Sequence, residues 1–214
     1  MEKEINPEWQ IANKSESKYW EIFTCEIETL KHQERYIDIL GLREDYFHAP
    51  DNSLNFSGLN VLDVGGGPCS LLLRSNNLKG DQHDGIKKGV VIDPLIITEH
   101  HKMRYEYYGI EFINDQAENI KEYFSEEKYF DESIIYNCLQ HVDDPIKILD
   151  NVSFVSKRIR IAEPLNVPTD HMHLHMFTEK YFDDYFSEDR FSIHDRAIEQ
   201  VGGCLHYVGL FSVN

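Results

Sequence analysis

Residues 60–74 read Asn-Val-Leu-Asp-Val-Gly-Gly-Gly-Pro-Cys-Ser-Leu-Leu-Leu-Arg, in which an apolar run leads through three glycines to a leucine-rich stretch. This order predicts a strand over about 59–64, a tight turn, and a helix over about 68–76. Apolar residues on both faces of the strand are typical of a parallel sheet that is covered on both sides. Glycines let a ligand approach the main chain closely. The stretch therefore predicts a nucleotide-type ligand site at the carboxyl end of this strand.

The whole chain has 214 residues and a formal net charge of −17, from 38 acidic and 21 basic residues. A nucleic-acid backbone needs a basic protein face, so this balance argues against a DNA or RNA partner and favours a small-molecule substrate. No apolar run approaches the length of a membrane span, and the N-terminus lacks the apolar segment of a signal peptide. We therefore expect no membrane partner, while a homo-oligomer stays open.

The cysteines point to a reducing compartment. They are far apart in the sequence and form no C-x-x-C pair, which argues against a zinc ribbon or a redox motif. Widely spaced cysteines in a chain of this length are typical of reduced thiols, so we expect a cytoplasmic protein. The four are Cys25, Cys69, Cys138 and Cys204.

Apolar segments with strand character alternate with helical segments along the chain. Seven are predicted as strands, the last two as antiparallel neighbours: about 59–64, 89–93, 111–114, 130–137, 158–162, 191–198 and 204–212. Glu163-Pro164 is expected to end the fifth. The sequence thus predicts an α/β fold of three layers, with a seven-stranded, mostly parallel sheet and a C-terminal antiparallel strand.

The segment before the glycine stretch has apolar residues at helical spacing over about 7–40, with Asn6 as a helix cap. A polar, turn-rich connection follows over 42–58. We therefore divide the chain into an N-terminal helical cap and linker, 1–58, and a ligand-binding domain, 59–214. The helical segment is expected either to cover the ligand pocket or to pack as an amphipathic helix on the sheet edge.

The glycine turn and the end of the second strand resemble a known family. Val61-Leu62-Asp63-Val64-Gly65-Gly66-Gly67-Pro68, with Asp93 ending the next strand, is similar to the class I S-adenosylmethionine (SAM)-dependent methyltransferases. The resemblance covers about 59–165 and departs from the family pattern at Cys69, where a third glycine is usual. It implies a Rossmann-like methyltransferase fold, SAM as cofactor, and in-line methyl transfer to O, N or C of a small molecule.

The same resemblance implies which residues bind the cofactor. The turn would approach the methionyl and ribose parts, with Asp63 near the methionyl end. Asp93 would accept from the ribose hydroxyls, as acids do in dinucleotide folds, and Asp115 would accept from the adenine amine. The full set is Asp63, Gly65, Gly66, Gly67, Asp93, Pro94, Asp115, Gln116, Ala117, Asn137 and Cys138.

The segment Asn137–Pro145 resembles the L-x-H-x-x-D-P pattern of small-molecule methyltransferases. Within it, Asp144 is predicted to cap the following helix. His141 is predicted either as a general base, because imidazole titrates near neutral pH, or as a histidine that only shapes the pocket.

A histidine-rich stretch, His171-Met172-His173-Leu174-His175, follows the fifth predicted strand. In an extended strand its three imidazoles would share one face. They are interpreted as pocket lining that includes one acid or base, as an exposed loop, or as a metal site with Glu163 or Asp170. The predicted catalytic residues are His141, His173 and His175, and no metal ligand is assigned.

Two other functions stay open on the sequence alone. One is a non-catalytic protein of methyltransferase fold that binds an adenosyl ligand or a partner chain, since the third glycine is missing and no residue is an unmistakable catalyst. The other is a metal-assisted enzyme that uses the histidine run. Methyl transfer from SAM to a small molecule is the preferred interpretation.

Overall fold

The computed structural model of the protein describes residues 6–22, 26–48, 53–75, 85–201 and 203–214. The segments outside these ranges are 1–5, 23–25, 49–52, 76–84 and Gly202. Cys25 is therefore not described, nor is most of the loop before the second predicted strand. No helix in the described ranges is both long and apolar enough to cross a membrane.

Seven strands form one sheet, and two short strands form a separate hairpin. In chain order, the hairpin is β1 (Phe47–His48) and β2 (Ser53–Leu54), and the sheet comprises β3 (Asn60–Val64), β4 (Lys88–Ile92), β5 (Ile110–Ile113), β6 (Glu132–Tyr136), β7 (Arg158–Leu165), β8 (Phe191–Val201) and β9 (Cys204–Val213). The sheet order is β5-β4-β3-β6-β7-β9-β8, and β9 alone runs in the direction opposite to the other six strands. The predicted sheet is confirmed.

Helices pack against both faces of this sheet. In chain order, the helices of the described ranges are α1 (Pro7–Ile22), α2 (Glu26–Ile39), α3 (Leu42–Tyr46), α4 (Glu99–Tyr108), α5 (Ile120–Tyr123), α6 (Pro145–Val155) and α7 (Glu179–Tyr185). The alternation of strand side chains divides the core in two: Leu62 and Val64 pack on the α6 and α7 side, whereas Val61 packs with α2 and α4. Asp144 caps α6 as predicted, because its Oδ1 accepts from the N–H of Lys147 at 3.0 Å.

The leucine-rich stretch after the glycines differs from the prediction. A helix over 68–76 is wrong for the described part of that range, which forms two 3₁₀ turns, Gly67–Cys69 and Leu71–Arg74. Ser70 separates them in an extended conformation, and its hydroxyl accepts from the N–H of Leu72. Asp63 accepts from the N–H of Leu71, and Ser70 accepts from the N–H of Leu72. Because these side chains cap a new turn at Ser70, one continuous helix does not form.

Two further boundaries differ. Strand β7 does not end at Glu163-Pro164 but runs through Pro164 to Leu165. Pairing with β6 stops at Ala162, and only β9 continues beyond it, so the missing N–H of proline costs no hydrogen bond to β6. The connection over 42–58 is not structureless, since it holds α3 and the β1–β2 hairpin.

The N-terminal helices lie over the carboxyl ends of β3 and β6. Asn6 caps α1 as predicted, and its Nδ2 donates to Asp143 in the segment after β6 at 2.6 Å. From α2, Gln33 donates to the carbonyl oxygen of Ser70 at 2.8 Å. The sequence leaves two placements open for this segment, over the ligand pocket or on the sheet edge. In the structure, α1 contacts the segment after β6 and α2 contacts the glycine-turn segment after β3.

Candidate functional site

The glycine turn after β3 packs tightly: Gly65 and Gly66 have no room for a Cβ atom, and Gly67 would make a close contact. A Cβ atom on Gly65 would lie 2.5 Å from Cβ of Cys138, and one on Gly66 would lie 2.8 Å from the carboxyl carbon of Asp63. On Gly67 it would lie 3.3 Å from Oδ2 of Asp93. Gly65 and Gly67 also have positive φ angles of 72° and 45°. Space therefore requires glycine at positions 65 and 66, and the backbone conformation favours it at positions 65 and 67.

Asp63 holds the turn together from inside. Its Oδ2 accepts from the hydroxyl of Ser70 at 2.6 Å and from the N–H of Leu71 at 3.0 Å. Its Oδ1 is buried and has no hydrogen-bond partner among the described residues. Burial, with a smaller contribution from Asp93, raises the pKa of Asp63 to about 7.

Asp93 follows β4 and faces the turn. Its Oδ1 accepts from the N–H of Leu95 at 2.7 Å, and the N–H of Gly67 also donates to its carboxylate. Burial, and then the nearby Glu16, raise the pKa of Asp93 to about 7. Asn114, after β5, donates to the carbonyl oxygens of Asp93 and Leu95 at 3.1 and 2.8 Å. The half-buried Pro94 lies between the two.

The segment after β6 is held by an acid from the next strand. Asn137 has a positive φ of 48°, which is uncommon outside glycine. Behind it, the N–H groups of Cys138 and Leu139 donate to Oε1 of Glu163 at 2.9 and 3.3 Å. Oε2 of Glu163 is buried without a partner among the described residues. Burial raises the pKa of Glu163 to about 8.

Four carboxyl groups surround Cys138. Burial and the charges of Glu163, Asp93, Asp63 and Glu16 raise the pKa of the Cys138 thiol well above its usual range. No lysine or arginine in the described ranges lowers the pKa of any of the four carboxyls. The site thus concentrates negative potential at low solvent exposure, which favours a cationic ligand.

The predicted adenine loop lies at the end of β5. Oδ1 of Asp115 accepts from the N–H of Gln116 at 2.7 Å and from Asn119 at 3.0 Å, while Oδ2 accepts from Tyr123 at 2.8 Å. Ala117 is buried. The carboxylate therefore already stabilises its own loop, and its role toward a ligand stays a prediction.

The histidine run does not form a strand. Residues 166–178 carry no strand, because Asp170 folds the chain back: its Oδ1 accepts from the N–H groups of Met172 and His173 at 2.7 and 2.8 Å. The three imidazoles consequently do not share one face. His173 bonds to Asp170, His175 donates from Nε2 to the carbonyl oxygen of Val142 at 2.9 Å, and His171 is exposed.

His141 lies beside His173, with ring centroids 5.0 Å apart. Its Nδ1 is 2.8 Å from the carbonyl oxygen of Met172, which can only accept, so Nδ1 carries the proton. Its Nε2 then accepts from the amide of Gln140 at 3.2 Å. Burial lowers the pKa of His141 to about 4. Both ring nitrogens therefore hold the loop together in this structure.

Glu16, on α1, is a site residue that the sequence analysis did not identify. Its Oε2 lies 4.0 Å from Nδ1 of His141, and its Oε1 accepts from the indole N–H of Trp20 at 3.4 Å. Burial raises the pKa of Glu16 to about 7. The helical spacing of Glu16 and Trp20 was the available signal, but only the fold shows that this face of α1 meets the loop after β6.

Two openings border these residues. A groove of about 370 Å³ runs between α1 and the histidine run and is lined by Ile11, Asp170, His171 and His173, among others. A smaller apolar cavity of about 80 Å³ lies between Trp20, Pro68 and Leu95. No group of three histidine, cysteine or acidic side chains in the described ranges could hold a metal ion.

No protein-family model and no curated protein matches this sequence. Solved structures share its fold at low sequence identity, and this similarity shows the fold but not the activity. The chain has the fold of the class I SAM-dependent methyltransferases.

Three solved structures illustrate the likeness. Magnesium protoporphyrin IX methyltransferase from Synechocystis PCC 6803, with bound SAM, gives a TM-score of 0.57 at 14% identity over 86% of this chain and 81% of that chain. The Burkholderia thailandensis 1,6-didemethyltoxoflavin-N1-methyltransferase, with its substrate and S-adenosylhomocysteine (SAH), gives 0.61 at 14% identity over 96% and 88%. The (4+2)-cyclase SpnF gives 0.59 at 14% identity over 84% and 80%, so the fold also carries other chemistry.

Proposed function

We propose that the protein is a SAM-dependent methyltransferase that acts on a small-molecule acceptor. One observation carries the proposal: the turn Gly65–Gly67 packs directly against Cys138 and Asp93, with no room for a side chain at Gly65 and a close contact at Gly67. This is the place in the fold where a strand, a glycine turn and the acid of the next strand meet. Two similar solved structures contain SAM or SAH.

The charge of the site fits this cofactor. SAM carries a sulfonium and an ammonium group, and the four carboxyls around Cys138 have no lysine or arginine partner in the described ranges. Two of their oxygens, Oδ1 of Asp63 and Oε2 of Glu163, are buried without a hydrogen bond. Buried acceptors of this kind are costly until a donor reaches them. A cationic ligand would lower that cost.

We assign the binding roles accordingly. Asp93 accepts from the ribose hydroxyls, and the turn lies against the ribose and methionyl parts. Asp63 acts mainly by holding the turn, since its Oδ2 is bound to Ser70 and Leu71. Pro94, Gln116, Ala117, Asn137 and Cys138 complete the cofactor site, with Asp115 toward the adenine amine.

When bound, SAM supplies an activated methyl group. The chain's own task is to hold donor and acceptor in line and to exclude water. We propose that residues 1–58 serve as a cover that does this, because α1 and α2 contact the segments after β6 and β3. The partner is then a small molecule that enters beside α1.

Calorimetric titration with SAM and SAH tests the proposal. The unmodified protein should bind both, and Asp93→Asn should weaken binding about tenfold or more, because a charge-assisted hydrogen bond is worth about 1.5–3 kcal/mol. Asp184→Asn makes the same chemical change at an exposed ion pair and should bind like the unmodified protein. Absence of heat with both ligands at high protein concentration would refute the proposal.

A second candidate is a protein that binds an adenosyl ligand without methyl transfer. The engagement of both ring nitrogens of His141 favours it, since the predicted base is not free. Incubation with methyl-labelled SAM and a panel of phenols, amines and alcohols separates the two. Binding without any labelled product supports this second candidate.

A further inference from the structure

A carboxyl group on the covering helix faces the strand ends. Glu16 lies on α1, whereas the other three acids around Cys138 belong to β3, to the segment after β4, and to β7. Its Oε2 is 4.0 Å from His141, and its charge acts on Asp93. Glu16 therefore occupies the side of the site opposite the sheet.

This side is where an acceptor would approach. A cofactor seated on the strand ends would have α1 on its open side, and the groove between α1 and the histidine run lies along this helix and reaches His173, whose ring lies beside that of His141. The start of α1 is held in place by the hydrogen bond that Asn6 donates to Asp143. Trp20 fixes the orientation of the carboxyl by donating to Oε1, which leaves Oε2 pointing toward His141 without a hydrogen bond in the described ranges.

Of the two histidines nearby, His141 has both ring nitrogens in hydrogen bonds, whereas His173 is held through Nδ1. His141 donates from Nδ1 to Met172 and accepts at Nε2 from Gln140. The imidazole of His173 bonds to Asp170. Of the four carboxyl groups around Cys138, that of Glu16 is the one that is partly exposed, with 21% of the side chain accessible, and its Oε2 accepts no hydrogen bond in the described ranges.

We propose that Glu16 takes the proton from the methyl acceptor, an inference that rests on the proposed function. As the acceptor's oxygen or nitrogen gains the methyl group, its bond to hydrogen breaks, the electron pair stays on that atom, and the proton moves to Oε2. The positive charge that SAM loses is balanced by the negative charge that Glu16 loses.

The same charges define the acceptor class. An anionic acceptor such as a carboxylate or phosphate would meet four carboxyls with no lysine or arginine partner in the described ranges, and those that are ionised would repel it strongly at low dielectric. An acceptor with a neutral O–H or N–H, or with a cationic amine, avoids this repulsion and supplies the proton that Glu16 removes. The acceptor is accordingly a neutral or cationic hydroxyl or amino compound.

Sinefungin and SAH test the placement of Glu16 without any acceptor. Sinefungin carries an amino group on the carbon that replaces the methylsulfonium centre, and SAH has a neutral sulfur there. At pH 8 we expect sinefungin to bind the unmodified protein about tenfold more tightly than SAH, as expected for about 1.4 kcal/mol of added interaction. Glu16→Gln should remove this preference while leaving SAH affinity unchanged, since glutamine still accepts from Trp20.

Each outcome has a distinct meaning. Loss of the preference in Glu16→Gln, with unchanged SAH affinity and an unchanged preference in the exposed-site control Glu188→Gln, supports the inference. A preference that persists in Glu16→Gln overturns it, as does a loss of SAH affinity in that variant, which would make Glu16 a cofactor ligand instead. Failure of the unmodified protein to bind either compound refutes the proposed function itself.

Discussion

Gly65 and Cys138, at the ends of neighbouring parallel strands, approach so closely that a Cβ atom on Gly65 would lie 2.5 Å from Cβ of Cys138. Gly65→Ala should therefore destabilise the protein by about 2–4 kcal/mol, from overpacking together with the positive φ. Gly58→Ala is a matched control, because Gly58 has φ of 73° and nothing within 4 Å of its Cβ position. The difference in the free energy of unfolding between the two variants, measured with urea, gives the steric contribution at Gly65. Equal losses of stability in both variants would contradict overpacking at Gly65.

The buried carboxyls should make cofactor affinity depend on pH. Burial raises the pKa values of Asp63 and Asp93 to about 7, so both gain charge between pH 6 and pH 8. A cation binds the ionised forms better, and SAM has one positive charge more than SAH. We expect the ratio of SAM to SAH affinity to rise about threefold to tenfold over this interval, as measured by calorimetry. A ratio independent of pH would contradict the charge argument.

Glu163 should make the free protein less stable as pH rises. Burial raises its folded pKa to about 8, above its unfolded value, so the folded state holds the extra proton between these values. Its contribution to the free energy of unfolding falls with rising pH by about 1.4 kcal/mol per unit in that window. Glu163→Gln, which can still accept from Cys138, should flatten the fall between pH 6 and pH 8. Identical pH slopes for the variant and the parent would argue against this assignment.

Arg160 joins the sheet to the N-terminal segment. Its Nε donates to the buried Glu132 at 2.5 Å, its Nη1 donates to the carbonyl oxygen of Leu40 at 2.7 Å, and Asp45 is a third partner. Arg160→Met should cost about 3–5 kcal/mol, since it leaves a buried charge under-compensated. Lys180→Met removes an exposed pair and should cost about 1 kcal/mol or less. Chemical unfolding measures the loss of stability in each variant. Similar losses in Arg160→Met and Lys180→Met would contradict the larger contribution assigned to the buried ion pair.

The histidine run offers an internal comparison. His175→Ala should cost about 1 kcal/mol, the net value of its hydrogen bond to Val142. His171 is exposed, and His171→Ala should leave the thermal midpoint unchanged. Thermal unfolding measures both, and a catalytic role for His175 would show as a loss of methyl transfer beyond the loss of stability.

Much of the fold was predictable because its signals are local. The apolar strands, the glycine turn and the Asp144 cap each depend on neighbours in sequence, and alternation of elements then constrains the sheet. The two 3₁₀ turns were not predictable from periodicity, since the hydroxyl of Ser70 and the carboxylate of Asp63 redirect the backbone through tertiary hydrogen bonds.

The site residues show the same difference between features set by the local sequence and features set by tertiary packing. Asp93 and the turn meet as expected because parallel strands end at one edge of the sheet. Glu16 was missed because a residue on a covering helix acquires its neighbours only through packing. The sequence left the conformation of the histidine run open because Asp170, which turns the chain there, acts through its side chain rather than through an apolar pattern.

The bond between Asn6 and Asp143 joins positions 137 residues apart. Although α1 precedes the whole main sheet in the chain, its docking partner leaves the ribosome only after four of the seven main-sheet strands, β3 to β6, have been made. Contacts of such long range form slowly. In a nascent chain the acidic pocket thus stays hydrated until the segment after β6 has emerged, and enclosure of the pocket is a late event in the maturation of the protein.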